Sequence, residues 1–396
     1  MTTHFSAESR KRLKNGICNQ DRVTGLTHNF YRYPARFSPE FVRTVIQEFT
    51  QEGDMVFDPF MGGGTTLVEA LALGRNAFGT DISSLATFIA QVKTTVFSAR
   101  ELSTVARWVD NLLSRLKIAT SVPRSPESVR EHYQRNITNR ETWRIKKLLE
   151  IALIEVTELK SSNEQKLARC ILLKTGQWAL DCRSTIPSTS DFQKQITIYT
   201  GEILEGAATF AMKLQSFCRP PLGRCVHRSV MGIENDHELL RAGRPALILT
   251  SPPYPGLHVL YHRWQVKGRR ETAAPFWIAG TSDGDGASFY TLGDRKQKDL
   301  HGYFENLRSS FTSIAKVAGE TTMIVQMIAF SDPVRQLPRY LDVMKAAGLK
   351  EANIQTDAEL PEWRMWRDVP GRKWYASKLG ATGGSREVVL FHRRSL

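Results

Sequence analysis

Residues 55–81 read MVFDPFMGGGTTLVEALALGRNAFGTD, and this stretch limits the fold more than any other. MVFD is short and apolar up to its last residue, the pattern of a buried strand. Gly62, Gly63 and Gly64 follow and let the backbone turn tightly. The next residues, TTLVEALAL, have helical character, and Gly74 stands where a helix C-terminal cap belongs. RNAFGTD is a second strand. Strand, turn, helix and strand in this order imply a parallel pairing closed by a crossover helix, hence a doubly wound α/β sheet. Upstream, SPEFVRTVIQEF predicts a helix with Ser38 as N-cap, Pro39 at its first position, and Phe41, Val45, Ile46 and Phe49 on one face. Downstream, SSLATFIAQV predicts the next helix.

The glycine turn opens a helix whose first N–H groups lack partners, and Asp81 ends the following strand 17 residues after Gly64. An acid there typically accepts hydrogen bonds from ribose hydroxyls, so the arrangement suits a nucleoside, although glycines often do no more than make a turn. The stretch lacks the lysine of a P-loop. A dinucleotide fingerprint is also missing, because Leu67 stands where the third glycine would be. Asp58 just before the glycines would repel a pyrophosphate and suit a cation. S-adenosylmethionine has a sulfonium, an ammonium and no phosphate, and is favoured over NAD on charge.

A later strand, ALILTS (246–251), runs into Ser-Pro-Pro-Tyr. Proline donates no backbone hydrogen bond, so the strand must stop there. Pro252 and Pro253 present carbonyl acceptors, Ser251 a hydroxyl and Tyr254 a flat ring. Such a pocket suits the exocyclic amine of cytosine or adenine, which is a poor nucleophile until acceptors hold its hydrogens. A base in a duplex must be flipped out to reach it. The alternative is a rigid turn that packs its tyrosine in the core. Carbon-5 cytosine methylation is set aside, since it needs a cysteine nucleophile, usually after a proline, and none of the five cysteines follows one.

Three regions follow from this pass: residues 1–95, a mostly helical insertion over 96–224, and 225–396, where strands return at CVHRSVMG, ALILTS, TMIVQMIAF and REVVLFHRR. Helical periodicity is plain in TWRIKKLLEIALIEV and EQKLARCILLKTGQWAL. The net charge of +14 tilts the balance towards a nucleic-acid partner. An odd cysteine count without a Cys-x-x-Cys pair argues against disulfides or a zinc ribbon, and no metal is expected. No apolar run approaches the roughly 20 residues of a membrane span, and the N-terminus lacks a signal-peptide core, so a cytoplasmic protein with no membrane partner is expected.

DPFMGGGTT together with TSPPY resembles the amino-methylating DNA methyltransferases, which act on N4 of cytosine or N6 of adenine; HNFYRYPARFSPEFV (28–42) resembles the segment that precedes the glycine motif in such enzymes. The resemblance implies a Rossmann-like methyltransferase sheet and S-adenosyl-L-methionine as cofactor. It places the cofactor on Tyr33, Pro34, Arg36, Phe37, Asp58, Pro59, Phe60, Gly62, Gly64, Thr65, Asp81 and Ile82, with Asp236 or Glu234 in a third loop. It makes Ser251, Pro252, Pro253 and Tyr254 the catalytic pocket, and puts target recognition in the insertion. Serine before Pro-Pro-Tyr is the commoner choice for cytosine in this family.

The stretch LHVLYHRWQVKGRRE (257–271) interleaves Tyr261 and Trp264 with His262, Arg263, Lys267, Arg269 and Arg270, a mixture suited to stacking and phosphate contact. As a helix, its aromatics could equally be core. WRMWRDVPGRKWYAS (363–377) is a second such stretch. Arg135, Arg140, Arg144, Lys146 and Lys147 in the insertion could meet phosphates, or form a solvated helix face. The expected function is a sequence-specific, N4-cytosine-directed DNA methyltransferase acting on double-stranded DNA, with a cognate restriction endonuclease as an open partner. N6-adenine and RNA base-amine methylation are the alternatives. A protein-glutamine methyltransferase, a DNA-binding module with a dead site and a nicotinamide dehydrogenase rank lower.

Overall fold

The computed structural model describes residues 3–4, 7–19, 23–33, 37–118, 132–256, 262–268, 270–284, 290–293, 299–352, 354–355, 364–368 and 386–395. In chain order the elements are β1 (Thr3–His4), α1 (Ala7–Cys18), α2 (Pro39–Phe49), β2 (Met55–Asp58), α3 (Thr65–Ala72), β3 (Asn76–Asp81), α4 (Ser84–Thr94), α5 (Ala99–Arg115), α6 (Trp143–Val156), α7 (Ser162–Leu180), α8 (Thr189–Gln215), β4 (Gly223–His227), α9 (His237–Ala242), β5 (Leu247–Thr250), β6 (Trp264–Val266), β7 (Arg270–Thr272), α10 (Ala274–Ala279), α11 (His301–Val317), β8 (Met323–Ala329), α12 (Pro333–Ala346), β9 (Leu349–Glu351), β10 (Ile354–Gln355), β11 (Met365–Asp368) and β12 (Arg386–Arg394).

Eight strands form one sheet in the order β11-β12-β8-β5-β2-β3-β4, with β9 also on β12. The pairs β5–β8, β2–β5, β2–β3 and β3–β4 are parallel. β2, β5 and β8 are buried along their whole length, which is why they read as unbroken apolar runs. The doubly wound sheet is antiparallel at one edge. β12 runs antiparallel to β8, and β9 and β11 run antiparallel to β12. No helix stands between β9 and β12 among the described residues, so β12 returns in the reverse direction.

From β2 the chain steps outward to β3 and β4, then crosses back to β5 and β8 on the other side. The order therefore reverses between β2 and β5. The crevice at their carboxyl ends is the switch point where open α/β sheets bind ligands. Helices cover both faces. Phe41 and Val45 of α2 with Leu67 and Leu71 of α3 pack on one face. Leu307 and Phe311 of α11 with Tyr340 and Met344 of α12 pack on the other.

Between α4 and β4 the described elements are the helices α5 to α8. These helices do not hang free of the sheet. Leu85 and Ile89 of α4 share one core with Leu148 of α6, Leu167 of α7, Phe192 of α8, and Trp264 and Trp277 further on. Ser38 precedes α2 as expected, but its hydroxyl bonds to Asn19 Oδ1 at 3.4 Å and makes no cap bond. The described part of 257–271 is an antiparallel β6–β7 hairpin and not a helix. Lys267 and Gly268 in its turn take positive φ, which a helix cannot accommodate. Residues 363 and 369–377 of the second aromatic–basic stretch lie outside the described residues; Met365 to Asp368 form β11.

Candidate active site

One cavity of about 560 Å³ opens at the switch point. The glycine turn supplies Pro59, Phe60 and Gly62 to its wall, and the end of β3 supplies Asp81 and Ile82. Ser251, Pro252, Pro253 and Tyr254 line it from the end of β5, and Tyr33 and His262 close it from outside the sheet. The two turns singled out in sequence thus face one space.

The glycine turn is held by its own short contacts. Gly62 N donates to Asp81 Oδ2 at 2.9 Å, and Ser83 N donates to Asp81 Oδ1 at 2.8 Å. Each carboxylate oxygen keeps a further lone pair for a diol. Burial pushes the Asp81 carboxyl up to about 6, against the Ser83 and Gly62 amides and the nearby His227. Gly64 takes φ +75°, and a Cβ there would lie 2.9 Å from Ala90 Cβ. A Cβ on Gly63 would lie 2.8 Å from Tyr33 Cβ, so the absent side chains let Tyr33 and α4 close on the turn. Lys93, buried in α4, donates to the Gly63 carbonyl at 2.9 Å. Sequence reasoning missed Lys93, because a lysine in an apolar helix carries no motif.

Four expected cofactor residues stand outside the cavity lining. Asp58 is 2% exposed and accepts from Thr250 Oγ1 at 2.8 Å and Phe60 N at 3.1 Å. Burial pushes its carboxyl up to about 6, opposed by hydrogen bonds from Thr66, Thr250 and Phe60 and reinforced by Asp81. Asp58 holds the two turns together and does not line the cavity. Phe37 packs on Phe41, ring centroids 5.5 Å apart, in the core. Gly64 and Thr65 are buried at the start of α3 and also stand outside the lining. Pro34 and Arg36 lie outside the described residues.

In the third loop the two expected acids are engaged within the protein. Asp236 caps α9, accepting from Glu238 N and Leu239 N at 3.0 Å, and pairs with Arg228 at 2.6 Å. Glu234 pairs with Lys316. The residues of this loop that reach the cavity are His227 to Met231, together with Leu292, Asn306 and Ser310 from later elements. No spacing in the sequence marks them.

At the Ser-Pro-Pro-Tyr turn, Tyr303 Oη donates to the Pro253 carbonyl at 2.8 Å. Burial pushes the Tyr303 phenol well up, so it stays a donor. One lone pair of the Pro253 carbonyl is thereby engaged, and Ser251 Oγ and the Pro252 carbonyl are further acceptors of this turn. Ser251 Oγ donates to Tyr254 Oη at 3.3 Å, and Tyr254 Oη donates to Glu387 Oε1 at 2.8 Å.

His262 was expected on the nucleic-acid surface and lies instead in the cavity wall, 6% exposed. Its Nδ1 is 3.0 Å from Ser83 Oγ, and its ring stacks on Tyr290 at 3.9 Å. Burial pulls its pKa down to about 4, with Asp283 opposing and Arg263 adding, so the ring is neutral at pH 7. Trp264 is buried and donates to Tyr31 Oη at 2.9 Å. Arg263 binds Asp283, Lys267 pairs with Glu141, and Arg270 is exposed. Arg135 of the helical region joins Arg263 and Arg270 around a second cavity of about 570 Å³ that also holds Glu271 and Asp283. Arg140 and Arg144 are exposed, Lys146 pairs with Glu150 at 3.0 Å, and Arg269 lies outside the described residues.

Residues 3–91 match the DNA methylase family. Type II methyltransferase M.MvaI of Kocuria varians is 41% identical over 81 residues, which is 20% of this chain and 18% of that protein. M.MjaII of Methanocaldococcus jannaschii is 33% identical over 89 residues, 22% of this chain and 17% of that protein. M.BsoBI of Geobacillus stearothermophilus is 41% identical over 95 residues, 24% and 19%. The chain therefore spans less than a fifth of the length of these relatives. Among solved structures, the rRNA methyltransferase aviRa from Streptomyces viridochromogenes aligns over 97% of this chain and 92% of that one, with 9% identity and a TM-score of 0.32, too loose to argue from.

S-adenosyl-L-methionine, the cofactor of methylases of this family, suits the donor set of the cavity. Asp81 offers acceptors for ribose hydroxyls, Phe60, Ile82 and Val230 offer apolar faces for a purine, and no P-loop lysine waits for a phosphate. The likeness to the DNA methylase family is carried by residues 3–91, the stretch that holds the glycine turn and Asp81.

Proposed function

We propose that this protein transfers a methyl group from S-adenosyl-L-methionine to an exocyclic base amine in double-stranded DNA, N4 of cytosine. The observation that carries the reading is the single cavity joining Asp81 and Gly62 to Ser251 and Pro252. A nucleoside held at the first pair and an amine held at the second would meet without either leaving that space.

In this reading Asp81 holds the ribose, the glycine turn lets the cofactor approach the backbone, and Ile82 and Val230 flank its ring. The bound cofactor supplies an electrophilic methyl on a sulfonium. Ser251 Oγ and the Pro252 carbonyl accept the two hydrogens of the target amine, which draws its nitrogen towards a tetrahedral geometry and frees its lone pair. Tyr254 and Tyr290 offer faces to the flipped base. Neutral His262 adds no positive charge beside a sulfonium. The helical region 96–224 and the β6–β7 hairpin are proposed to meet the duplex, with Arg135 and Arg270 towards phosphates. The serine before Pro-Pro-Tyr supports cytosine, as in its resemblance to N4-directed enzymes.

The test is methyl transfer from labelled cofactor to duplex DNA and to RNA, followed by mass spectrometry of digested product. N4-methylcytosine in DNA is expected. N6-methyladenine would move the target to the other amine, and labelled RNA alone would overturn the DNA reading.

A further inference from the structure

Tyr254 faces two ways. Its ring lines the cavity, while its hydroxyl turns inward to Glu387 Oε1 at 2.8 Å. Glu387 stands at the start of β12 with a side chain 2% exposed. Its other oxygen accepts from Arg367 of β11, Nε at 2.7 Å and Nη2 at 2.5 Å. On the cavity side, Ser251 Oγ donates to Tyr254 Oη at 3.3 Å. A line of hydroxyls thus leads from the cavity to a buried, arginine-paired carboxylate. Every donor in it points away from the cavity.

The chemistry of amine methylation gives such a line a use. When the nitrogen lone pair forms the new C–N bond, the carbon–sulfur pair leaves with sulfur, and the nitrogen holds four bonds and a positive charge. One of its protons must depart. The Pro252 carbonyl can accept a hydrogen bond but is too weakly basic to keep a proton. Ser251 Oγ can take one only if it gives its own away. Asp58 is held behind the turn by Thr250 and Phe60, and Asp81 is bound by two backbone amides.

Building on the proposed function, we propose that Glu387 is a positioning residue that takes the departing amine proton through Tyr254 and Ser251. The amine proton passes to Ser251 Oγ, the Ser251 proton to Tyr254 Oη, and the Tyr254 proton to Glu387 Oε1. The product amine ends neutral, both hydroxyls are restored, and Glu387 ends protonated. Release of product to water lets the proton return outward along the same line. A nucleobase protonated on its exocyclic nitrogen has lost the conjugation of that lone pair with an electron-poor ring and is far more acidic than a carboxylic acid, so even an arginine-paired carboxylate can accept from it. The same contacts fix the tilt of the Tyr254 ring against the base.

Tyr254→Phe keeps the ring and leaves the Glu387–Arg367 pair intact, whereas Glu387→Gln keeps a hydrogen-bond acceptor for Tyr254 and cannot take up the proton as a carboxylate does. Calorimetry with S-adenosylmethionine and base flipping read by 2-aminopurine fluorescence in duplex DNA should stay within about twofold of the unmodified protein for Tyr254→Phe. Single-turnover methylation at neutral pH should fall at least about tenfold. The rate should then climb with pH as solvent takes over the proton, a dependence the unmodified protein should lack. A Tyr254→Phe protein with the rate and pH profile of the unmodified one would overturn the proton path. Should Glu387→Gln fail to fold, Tyr254→Phe decides alone. If the unmodified protein methylates no nucleic acid, the proposed function itself is overturned; an unchanged Tyr254→Phe profile in an active protein overturns only this inference.

Discussion

The Thr250 hydroxyl donates to Asp58 Oδ1 at 2.8 Å and so ties the carboxyl end of β5 to that of β2. The strand that carries the Ser-Pro-Pro-Tyr turn and the strand that carries the glycine turn are neighbours in the sheet. This one bond locks their last residues together at the switch point. Asp58 in turn accepts from Phe60 N, which shapes the first step of the glycine turn.

Thr250→Val keeps the shape of the side chain and removes that donor. It should destabilise the protein by about 1–3 kcal/mol, because a buried carboxyl loses a partner. Denaturant unfolding measures this, and a loss well under 0.5 kcal/mol would mean that the contact is not formed in solution.

Asp81→Asn should weaken S-adenosylmethionine binding by about 1.5–3 kcal/mol, roughly ten- to a hundredfold in Kd. The charged form is the better acceptor, and it is lost as pH falls through about 6. Affinity of the unmodified protein should therefore drop on acidification towards that of the variant, which should itself change little. Calorimetry across this range gives both curves, and parallel curves would remove Asp81 as the titrating group.

The pH dependence of stability has opposing parts. Asp58 and Asp81 titrate near about 6 in the folded state, above the unfolded value of about 3.9. The folded state then binds more protons between these values, so these two make stability fall as pH rises. His262 and His392, both pulled down to about 4 by burial, do the reverse, since the unfolded chain binds their protons first. Asp58→Asn removes one falling contribution. Its melting temperature should rise more steeply with pH than that of the unmodified protein between about 4 and 6. Thermal melts at several pH values compare the slopes, and equal slopes would contradict the raised Asp58 titration.

Gly64→Ala should cost at least about 1–2 kcal/mol, since it forces a side chain into the left-handed region and against Ala90. Gly201→Ala is the matching control: it lies inside α8 with no atom within 4 Å of the added methyl, and should stabilise by about 0.4–1 kcal/mol. Melting temperatures that move the same way in both would refute the distinction.

Strands whose two faces are both covered were the easiest to read. MVFD and REVVLFHRR match β2 and β12 residue for residue, because their apolar runs end abruptly at polar or turn residues. The lining of the cavity was legible where a turn ends such a strand, at Gly62, Asp81 and Ser251 to Tyr254. It was not legible where single residues reach in from separate elements, as Tyr290, Asn306 and His227 to Met231 do. The capping role of Asp236 was not legible, because a carboxylate in a loop serves a helix N-terminus as readily as a ribose. The 27-residue α8 went unread because threonine and glycine dilute its helical composition. Its buried Phe192, Ile196, Thr200, Ile203, Ala207 and Phe210 nonetheless keep helical spacing. Gly206 is explained only by the fold, where Leu26 O would lie 2.4 Å from an added Cβ.

The core that α4 shares with α6, α7 and α8 bears on how target preference could be redesigned. A cassette exchange, in which residues 143–215 are cut out and a foreign segment spliced in, would strip Leu85 and Ile89 of their cover on the very helix whose Lys93 braces the glycine turn. The chimera would lose the packing behind its glycine turn along with the segment proposed to meet the duplex. Directed changes are better confined to outward side chains such as Arg135 and Arg270, which a library can vary while the shared interior stays intact.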